Sequence, residues 1–491
     1  MFSVKVNVPS EPSESLSENI NSFIDAITNA ALASIPRSVP TNRSRRVPWW
    51  CPEIGTAIRQ RKHALRKFKS TGLYPDLIEF KKRRAAARSL IRRKKQESWQ
   101  QFMHSISINT SSHNIWHKIK ALNGINRATP SFSINQNGSM LSDPLEVANA
   151  FANHFAMESS SSSYSSAFSL KKYSTEQQPI TIISDSSLSY NCHFTISELD
   201  YQLQYHTANS APGPDSIHPY MLKHLPPSAK NFLLHIYNQI WFSGSIPEPW
   251  KLAVVIPILK QNKDPLFPQN YRPISLISVL AKTLEKMVNR RLLFFLEQNN
   301  LLSSSQAGGR KKRTTVNHLL SLQRQILTAF HRRQHVYSVF FDIEKAFDRV
   351  WRYGLLSKLT TAGISGNMAK YLNNFLTNRT FHVKIGSSTS STIQTENGLP
   401  QGSALSATLF IFYINDINDC IAPPVNARLY FDDLNISLSS SFPANAQKIL
   451  QKTFQNYNPG VTIMVLCFLH LSLSVLISIG DVKTLPAFAS I

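Results

Sequence analysis

The chain has 491 residues, 42% of them hydrophobic, which is enough for about three domains with cores of their own. Lysine and arginine outnumber aspartate and glutamate by 53 to 29, a formal net charge of +24 at pH 7. Such an excess favours polyanionic partners, nucleic acid before anionic membrane. The four cysteines lack paired spacing, which excludes a disulfide scaffold and a zinc knuckle. Without a signal peptide at the N-terminus, we expect an intracellular protein, nuclear or cytoplasmic.

The first 50 residues are predicted to hold one amphipathic helix, in "INSFIDAITNAALASI", followed by a linker. Residues 51–157 are predicted to be a basic helical region, with a long helical stretch from about Pro52 to Ser105. Alanine, leucine and long straight-chain side chains favour helix there. The serine-rich run after Glu158 predicts a flexible linker over residues 158–190.

The basic helices carry few acids to balance their lysines and arginines. A solvated helix normally mixes both signs for mutual support, so we favour a surface that contacts phosphates over a plain solvated face. The candidate nucleic-acid-binding residues are Arg61, Arg66, Arg83, Arg84, Arg92 and Arg93.

Residues 191–457 alternate short apolar runs with helical stretches, which predicts an α+β catalytic domain. The remaining segment, 458–491, is an apolar tail, and residues 461–479 are long and apolar enough to be scored as a membrane span.

Two acidic motifs stand at the ends of apolar, strand-like runs. Asp342 follows "VYSVFF", and Asp432 and Asp433 lie side by side in "ARLYFDDLNISL". Bare carboxylates in such surroundings require a metal ion, a basic partner or an exposed turn. Together the acids form a plausible cage for two divalent cations, which take oxygen ligands. The alternative is that Asp342 and Asp348 cap a helix that begins near Glu344.

Three segments in order, "FDIEKAFDRVW", "GLPQGSALSATLF" and "LYFDDL", resemble the A, B and C motifs of reverse transcriptases, most closely those of jockey-like non-LTR retrotransposons of arthropods. Upstream segments such as "SAPGPDSIHPYMLKHLP" and "QAGGRKKRTTVNHLL" resemble the family's fingers. The resemblance implies a right-hand polymerase fold of fingers and palm, with the thumb missing. It also implies an RNA-directed DNA polymerase that uses two Mg²⁺ ions (Mn²⁺ being possible), an RNA template, a DNA primer and deoxynucleoside triphosphates. No obligate protein partner is implied.

The resemblance also assigns roles to residues. Asp342, Asp432 and Asp433 would bind the metal ions, and Phe347 would be the aromatic gate beneath the nucleotide sugar. The other nucleotide-binding candidates, which contact the base or grip the triphosphate, would be Gln401, Gly402, Lys260, Arg272 and Arg310.

The sequence departs from the family in several places. Phe431 stands where the family has alanine, and strand alternation would place it on the same face as Asp433. In the family this position lies beside the primer end, so the resemblance implies that the ring crowds the primer and slows the enzyme. "QAGGR" replaces the family's "QFGFR" ahead of Arg310. Beyond residue 457 we find neither the family's lysine-bearing segment nor a thumb. Our hypothesis is that a reading-frame slip near Pro459 produced the apolar tail, so we do not expect a functional membrane association.

Two other interpretations stay open. The chain is either an active enzyme or an inactive nucleic-acid-binding remnant of one, because the acids would survive in both. A membrane-anchored basic protein is the third possibility.

Overall fold

The computed structural model describes the following parts of the chain: residues 2–36, 47–107, 115–116, 119, 133–136, 138–185, 187–205, 210–455 and 474–477. Within its apolar tail only 474–477 is therefore described, and residues 37–46 of the predicted linker are not. The chain divides into two compact units, residues 37–131 and residues 1–36 together with 132–491.

The larger unit begins with α1 (Phe2–Lys5) and α2 (Leu16–Ser34). The predicted amphipathic helix near residue 20 is confirmed. The Ser15 side chain caps α2 by accepting the N–H of Glu18, which satisfies an otherwise unpaired backbone donor. On the buried face, Phe23 stacks on Phe232 with ring centroids 6.3 Å apart. The N-terminal helix thus belongs to the core of the larger unit.

The smaller unit contains α3 (Pro52–Thr71) and α4 (Tyr74–Ser105), so the predicted basic helical stretch is present but interrupted. Gly72 ends α3 with φ 65°, a left-handed conformation that glycine adopts without steric cost. Asp76 lies at the turn, where it accepts a hydrogen bond from Thr71 at 2.6 Å and pairs with Lys67 at 2.9 Å.

The prediction of a flexible serine-rich linker at 158–190 is wrong. After the hairpin of β1 (Ile134–Gln136) and β2 (Ser139–Leu141), α5 (Pro144–Ser159) and α6 (Ser166–Glu176) form helices on either side of a short 3-10 turn. Ser165 caps α6, and Phe168 is fully buried. Helix α5 packs on a sheet of the larger unit, so it does not continue the basic helical region as predicted for 51–157.

The remaining helices follow in chain order. They are α7 (Ile196–Gln204), α8 (Pro219–Lys223), α9 (Pro227–Ser243), α10 (Glu248–Lys251), α11 (Val279–Gln298), α12 (Thr315–His331), α13 (Arg352–Thr361), α14 (Gly366–Leu376), α15 (Ser406–Tyr413) and α16 (Pro443–Gln455).

Two sheets complete the larger unit. Strands β3 (Leu252–Leu259), β4 (Tyr271–Leu276), β6 (Thr380–Ile385) and β7 (Ser388–Thr389) form one sheet in the order β4-β3-β6-β7, with β8 (Ile393–Gln394) also paired to β6. The other sheet has the order β11-β5-β10-β9, built from β5 (His335–Phe341), β9 (Asn426–Tyr430), β10 (Asp433–Ser440) and β11 (Ser474–Ile477). Mixed helices and sheets confirm the α+β class.

The main hydrophobic core lies between the helices and the sheet that contains β5, β9 and β10. Its largest fully buried side chains include Trp241, Trp351, Tyr237 and Phe410. A smaller core joins α5 to the other sheet, where Phe151 meets Tyr271 edge-on at 4.8 Å. These two cores hold both sheets in place around the acidic motifs.

Candidate active site

The acids meet at the ends of adjacent antiparallel strands. Leu434 of β10 is paired with Phe341 of β5, so Asp433 and Asp342, one position further along each strand, lie side by side. Tyr430 is paired with Asp433 across the β9–β10 hairpin, which makes Phe431 and Asp432 its two-residue turn. Residues 90 positions apart in the chain are thereby brought to one edge of the sheet.

The charge of Asp342 acts on both carboxylates of the turn. Partial burial raises the pKa of Asp432, and the charges of Asp433 and Asp342 raise it further. Partial burial, and then the charge of Asp342, raises the pKa of Asp433. Even so, in the part of the chain that is described, no three His, Cys, Asp or Glu side chains are close enough to hold a metal ion as they stand. The acids therefore form a repulsive cluster that a divalent cation would neutralise.

The alternative in which Asp342 and Asp348 cap a helix near Glu344 is wrong. Residues 344–349 form turns, and the next helix, α13, begins at Arg352 with Trp351 at its N-cap. Asp348 instead accepts hydrogen bonds from the Gln401 amide at 3.0 and 2.8 Å. Desolvation of the carboxylate raises the pKa of Asp348 to about 6, although the residue as a whole is half-buried.

The glycines of the "GLPQGS" segment allow close backbone contacts. A β-carbon on Gly398, where φ is 86°, would stand 2.4 Å from the carbonyl oxygen of Asp348. One on Gly402 would stand 2.4 Å from the carbonyl oxygen of Ser275. Gln401 is fixed by Asp348 on its side chain and by the Ser275 N–H on its carbonyl oxygen. The segment thus joins motif A to β4, and the predicted contact of Gln401 and Gly402 with a nucleotide stays a prediction.

Phe347 is half-buried, and its ring stacks on Phe410 with centroids 4.5 Å apart. Its carbonyl oxygen accepts the N–H of Leu399. The ring is therefore fixed in a turn at the edge of the core, where one part of it stays accessible.

The three predicted triphosphate contacts fall in different surroundings. Arg272 is exposed on β4, and its charge lowers the pKa of Asp432. Lys260 follows β3, and its charge lowers the pKa of Asp348. Arg310 is bound in place: its guanidinium pairs with Glu297 at 2.7 and 2.5 Å and donates to Ser303 O at 2.6 Å. These donors are occupied and the side chain is only 6% exposed, and the contact of Arg310 with the triphosphate stays a prediction.

Sequence reasoning missed Lys345 and Glu158. Lys345 has φ 54° in the turn after Asp342 and forms an ion pair with Glu158 at the end of α5. Burial lowers the pKa of Lys345 to about 8. The only signal in the sequence was Glu158 itself, at the start of the serine-rich run that its composition assigned to a linker.

The basic arginines of the smaller unit lie along α3 and α4. Arg83 pairs with Glu79 at 2.7 Å and Arg93 with Glu97 at 3.6 Å, each within α4. Arg61 is half-buried. The exposed members of the predicted set that make no salt bridge within the described chain are Arg66, Arg84 and Arg92.

Comparison with known proteins shows similarity to reverse transcriptases. Residues 258–459 match the family model "Reverse transcriptase (RNA-dependent DNA polymerase)". The chain is 27% identical over 463 residues to the RNA-directed DNA polymerase from mobile element jockey of Drosophila funebris, covering 91% of this chain and 49% of that protein. It is 30% identical over 329 residues to the probable RNA-directed DNA polymerase from transposon BS of Drosophila melanogaster, covering 64% and 35%. The chain thus spans about half the length of these relatives, or less.

None of the described helices is both long and apolar enough to cross a membrane. Most of residues 461–479, where the sequence alone suggested a span, lie outside the described residues. Cys51 and Cys192 form no disulfide within the described residues.

Proposed function

We propose that this chain, whose residues 258–459 match the reverse transcriptase family model and which is similar to the jockey polymerase, acts as an RNA-directed DNA polymerase. The reaction transfers a deoxynucleotide to the 3′-hydroxyl of a primer, so the nucleophile is not a protein residue. The observation that supports this function best is the meeting of Asp342 with the Asp432–Asp433 turn on adjacent strands.

We propose that Asp342, Asp432 and Asp433 hold two divalent cations, Mg²⁺ or Mn²⁺. Mutual repulsion of their carboxylates supports this assignment, because bound cations would relieve it. When bound, such cations lower the pKa of an attacking hydroxyl and balance the charge of the leaving pyrophosphate. The charge of Arg272 lowers the pKa of Asp432, and its planar fork of donors would suit a phosphate group.

In this proposal the sheet of β5, β9 and β10 is the palm, and the sheet of β3, β4 and β6 belongs to the fingers. Lys260 and Arg272 stand near the ends of the β3–β4 hairpin and would contact the triphosphate. Phe347, held against Phe410, would lie beneath the sugar. Within the described residues we assign no element to a thumb.

We propose that the smaller unit binds the phosphates of the template or primer. Of the arginines predicted from the sequence, Arg66, Arg84 and Arg92 are suited to this because they are exposed and form no salt bridge within the described chain. Arg83 and Arg93 share their charge with neighbouring glutamates and would contribute less.

Primer extension on an RNA template with the full chain tests the enzymatic proposal. We expect Asp432→Ala to abolish extension in Mg²⁺ or Mn²⁺, because the site would lose one of three carboxylates. Asp25→Asn, at an exposed position on α2, is the matched control and should extend as the unaltered chain does. Equal extension by the unaltered chain and Asp432→Ala would refute the proposal.

A second candidate is an inactive remnant that still binds nucleic acid. It is favoured by the unusual backbone of Phe431, with φ 55°, at the turn that carries Asp432. Under this candidate the unaltered chain would bind RNA and yet extend no primer.

A further inference from the structure

The segment 305–310 runs beside the strand that leads to the acidic turn. The N–H of Leu429 donates to the carbonyl oxygen of Ser305 at 2.9 Å, and the N–H of Ala307 donates to the carbonyl oxygen of Leu429 at 2.9 Å. Gln306 and Leu429 form a parallel bridge. The segment therefore acts as a short additional strand along β9.

Gln306 connects this segment to the turn itself. The residue is fully buried, and its Oε1 accepts the N–H of Gly308 at 2.7 Å and the N–H of Phe431 at 3.1 Å. Arg310, paired with Glu297, fixes the end of the segment. The backbone immediately before Asp432 is thus attached to a rigid neighbour.

The Phe431 ring occupies the space that two glycines leave open. A β-carbon on Gly308 would stand 2.6 Å from the backbone nitrogen of Phe431 and 2.8 Å from its Cδ2. One on Gly309 would stand 3.3 Å from two atoms of the ring. On its other side the ring meets Tyr430 edge-on, with centroids 5.4 Å apart. The ring is packed against protein, which argues against our expectation that it crowds the primer end.

We propose that Phe431 is a positioning residue, whose ring packs over Gly308 and Gly309 and so fixes the turn that presents Asp432. Its φ of 55° is costly for a bulky residue, and the packing and the Gln306 hydrogen bond offset that cost. The two unusual features of this sequence, "QAGGR" and "YFDD", then compensate for each other, because the small residues of "QAGGR" make room for the Phe431 ring.

A double-mutant cycle between Phe431 and Gly309 tests the coupling. Phe431→Ala removes the ring and should lower the turnover number for primer extension ~10- to 100-fold, the range expected when reacting groups are misplaced by about 1 Å. The KM for the nucleotide should change less, and Phe431→Tyr should restore turnover. Gly309→Phe should be more damaging in the unaltered chain than in the Phe431→Ala background, where the new ring has space.

Gly309 has φ 68°, so any new side chain there has a cost in left-handed backbone conformation. That cost is the same in the unaltered chain and in the Phe431→Ala background, and it cancels in the cycle. Gly386→Phe, at a glycine of φ 60° with nothing within 4 Å of its β-carbon, measures that cost alone. The activity part of the proposal rests on the proposed function. The cycle is therefore also measured by thermal midpoint and by Mn²⁺ binding, followed by electron paramagnetic resonance.

The outcomes separate the two proposals. If the unaltered chain extends no primer but Mn²⁺ binding and the thermal midpoint show the coupling, the proposed function fails and the positioning role stands. Additive effects of Gly309→Phe and Phe431→Ala on every measurement would overturn the positioning role. So would unchanged Mn²⁺ binding and turnover in Phe431→Ala.

Discussion

Replacing Asp348 with asparagine should stabilise the protein at neutral pH. Asp348 has lost most of the hydration of its carboxylate, and burial raises its pKa from 3.8 to about 6. Lys345, Lys260 and the Gln401 amide only partly offset this cost. Asparagine keeps the size of the side chain and an oxygen that accepts from Gln401, but it carries no charge.

Proton linkage gives the direction and the size of this change in stability. Between pH 3.8 and about 6 the folded protein binds a proton at Asp348 that the unfolded chain does not. The contribution of protonated Asp348 to the free energy of unfolding is therefore complete below pH 3.8 and is lost as the pH rises through 6. Each pKa unit corresponds to about 1.4 kcal/mol, which gives at most about 3 kcal/mol. The free energy of unfolding of Asp348→Asn, relative to the unaltered chain, should rise by that amount between pH 4 and pH 7.

Urea denaturation at a series of pH values, followed by tryptophan fluorescence, measures this difference. Subtracting the free energy of unfolding of the unaltered chain from that of Asp348→Asn at each pH removes the contribution of every other titrating group. Asp25→Asn, on the exposed face of α2, controls for the loss of an acid as such. A difference between Asp348→Asn and the unaltered chain that does not change from pH 4 to pH 7 would refute the reasoning.

Two further predictions concern the arginines. Arg310→Met should destabilise the protein by about 1–3 kcal/mol in urea denaturation at pH 7, because the carbonyl oxygen of Ser303 loses its Arg310 donor and the half-exposed Glu297 loses its partner. Arg310 lowers the pKa of Glu297, so this difference should shrink as the pH falls below 4.5; a constant difference would contradict it. Replacing Arg84 and Arg92 together by glutamine should weaken RNA binding in fluorescence anisotropy and reduce the salt slope by about two. An unchanged slope would show that these residues do not contact phosphate.

The acidic cluster was predictable because it depends on local pattern. Strand-like runs ending in Asp342 and containing Asp432 place these acids at strand ends, whichever way the sheet is assembled. The hairpin register was not predictable. We expected the alternation of side chains along a strand to continue through Phe431. The chain instead turns there, at a positive φ that a phenylalanine rarely adopts.

Two further features were not predicted from the sequence. The pairing of Arg310 with Glu297 depends on how the end of α11 meets the following loop, which no local pattern shows. In the serine-rich run, Tyr164 and Phe168 are four residues apart and meet edge-on at 4.8 Å. That helical spacing of aromatic residues was the available signal, but the surrounding serines concealed it.

The segment at 158–178 has a practical consequence for making shorter fragments. Phe168 meets Trp351 edge-on at 5.5 Å, and the Trp351 indole N–H donates to Glu176. Ser161 N–H donates to Glu396 at 2.7 Å, and Tyr164 donates to the carbonyl oxygen of Arg349. A recombinant fragment limited to the residues of the family match, 258–459, would expose the Trp351 ring to solvent and promote aggregation. Any minimal expressible version should therefore start upstream of α5.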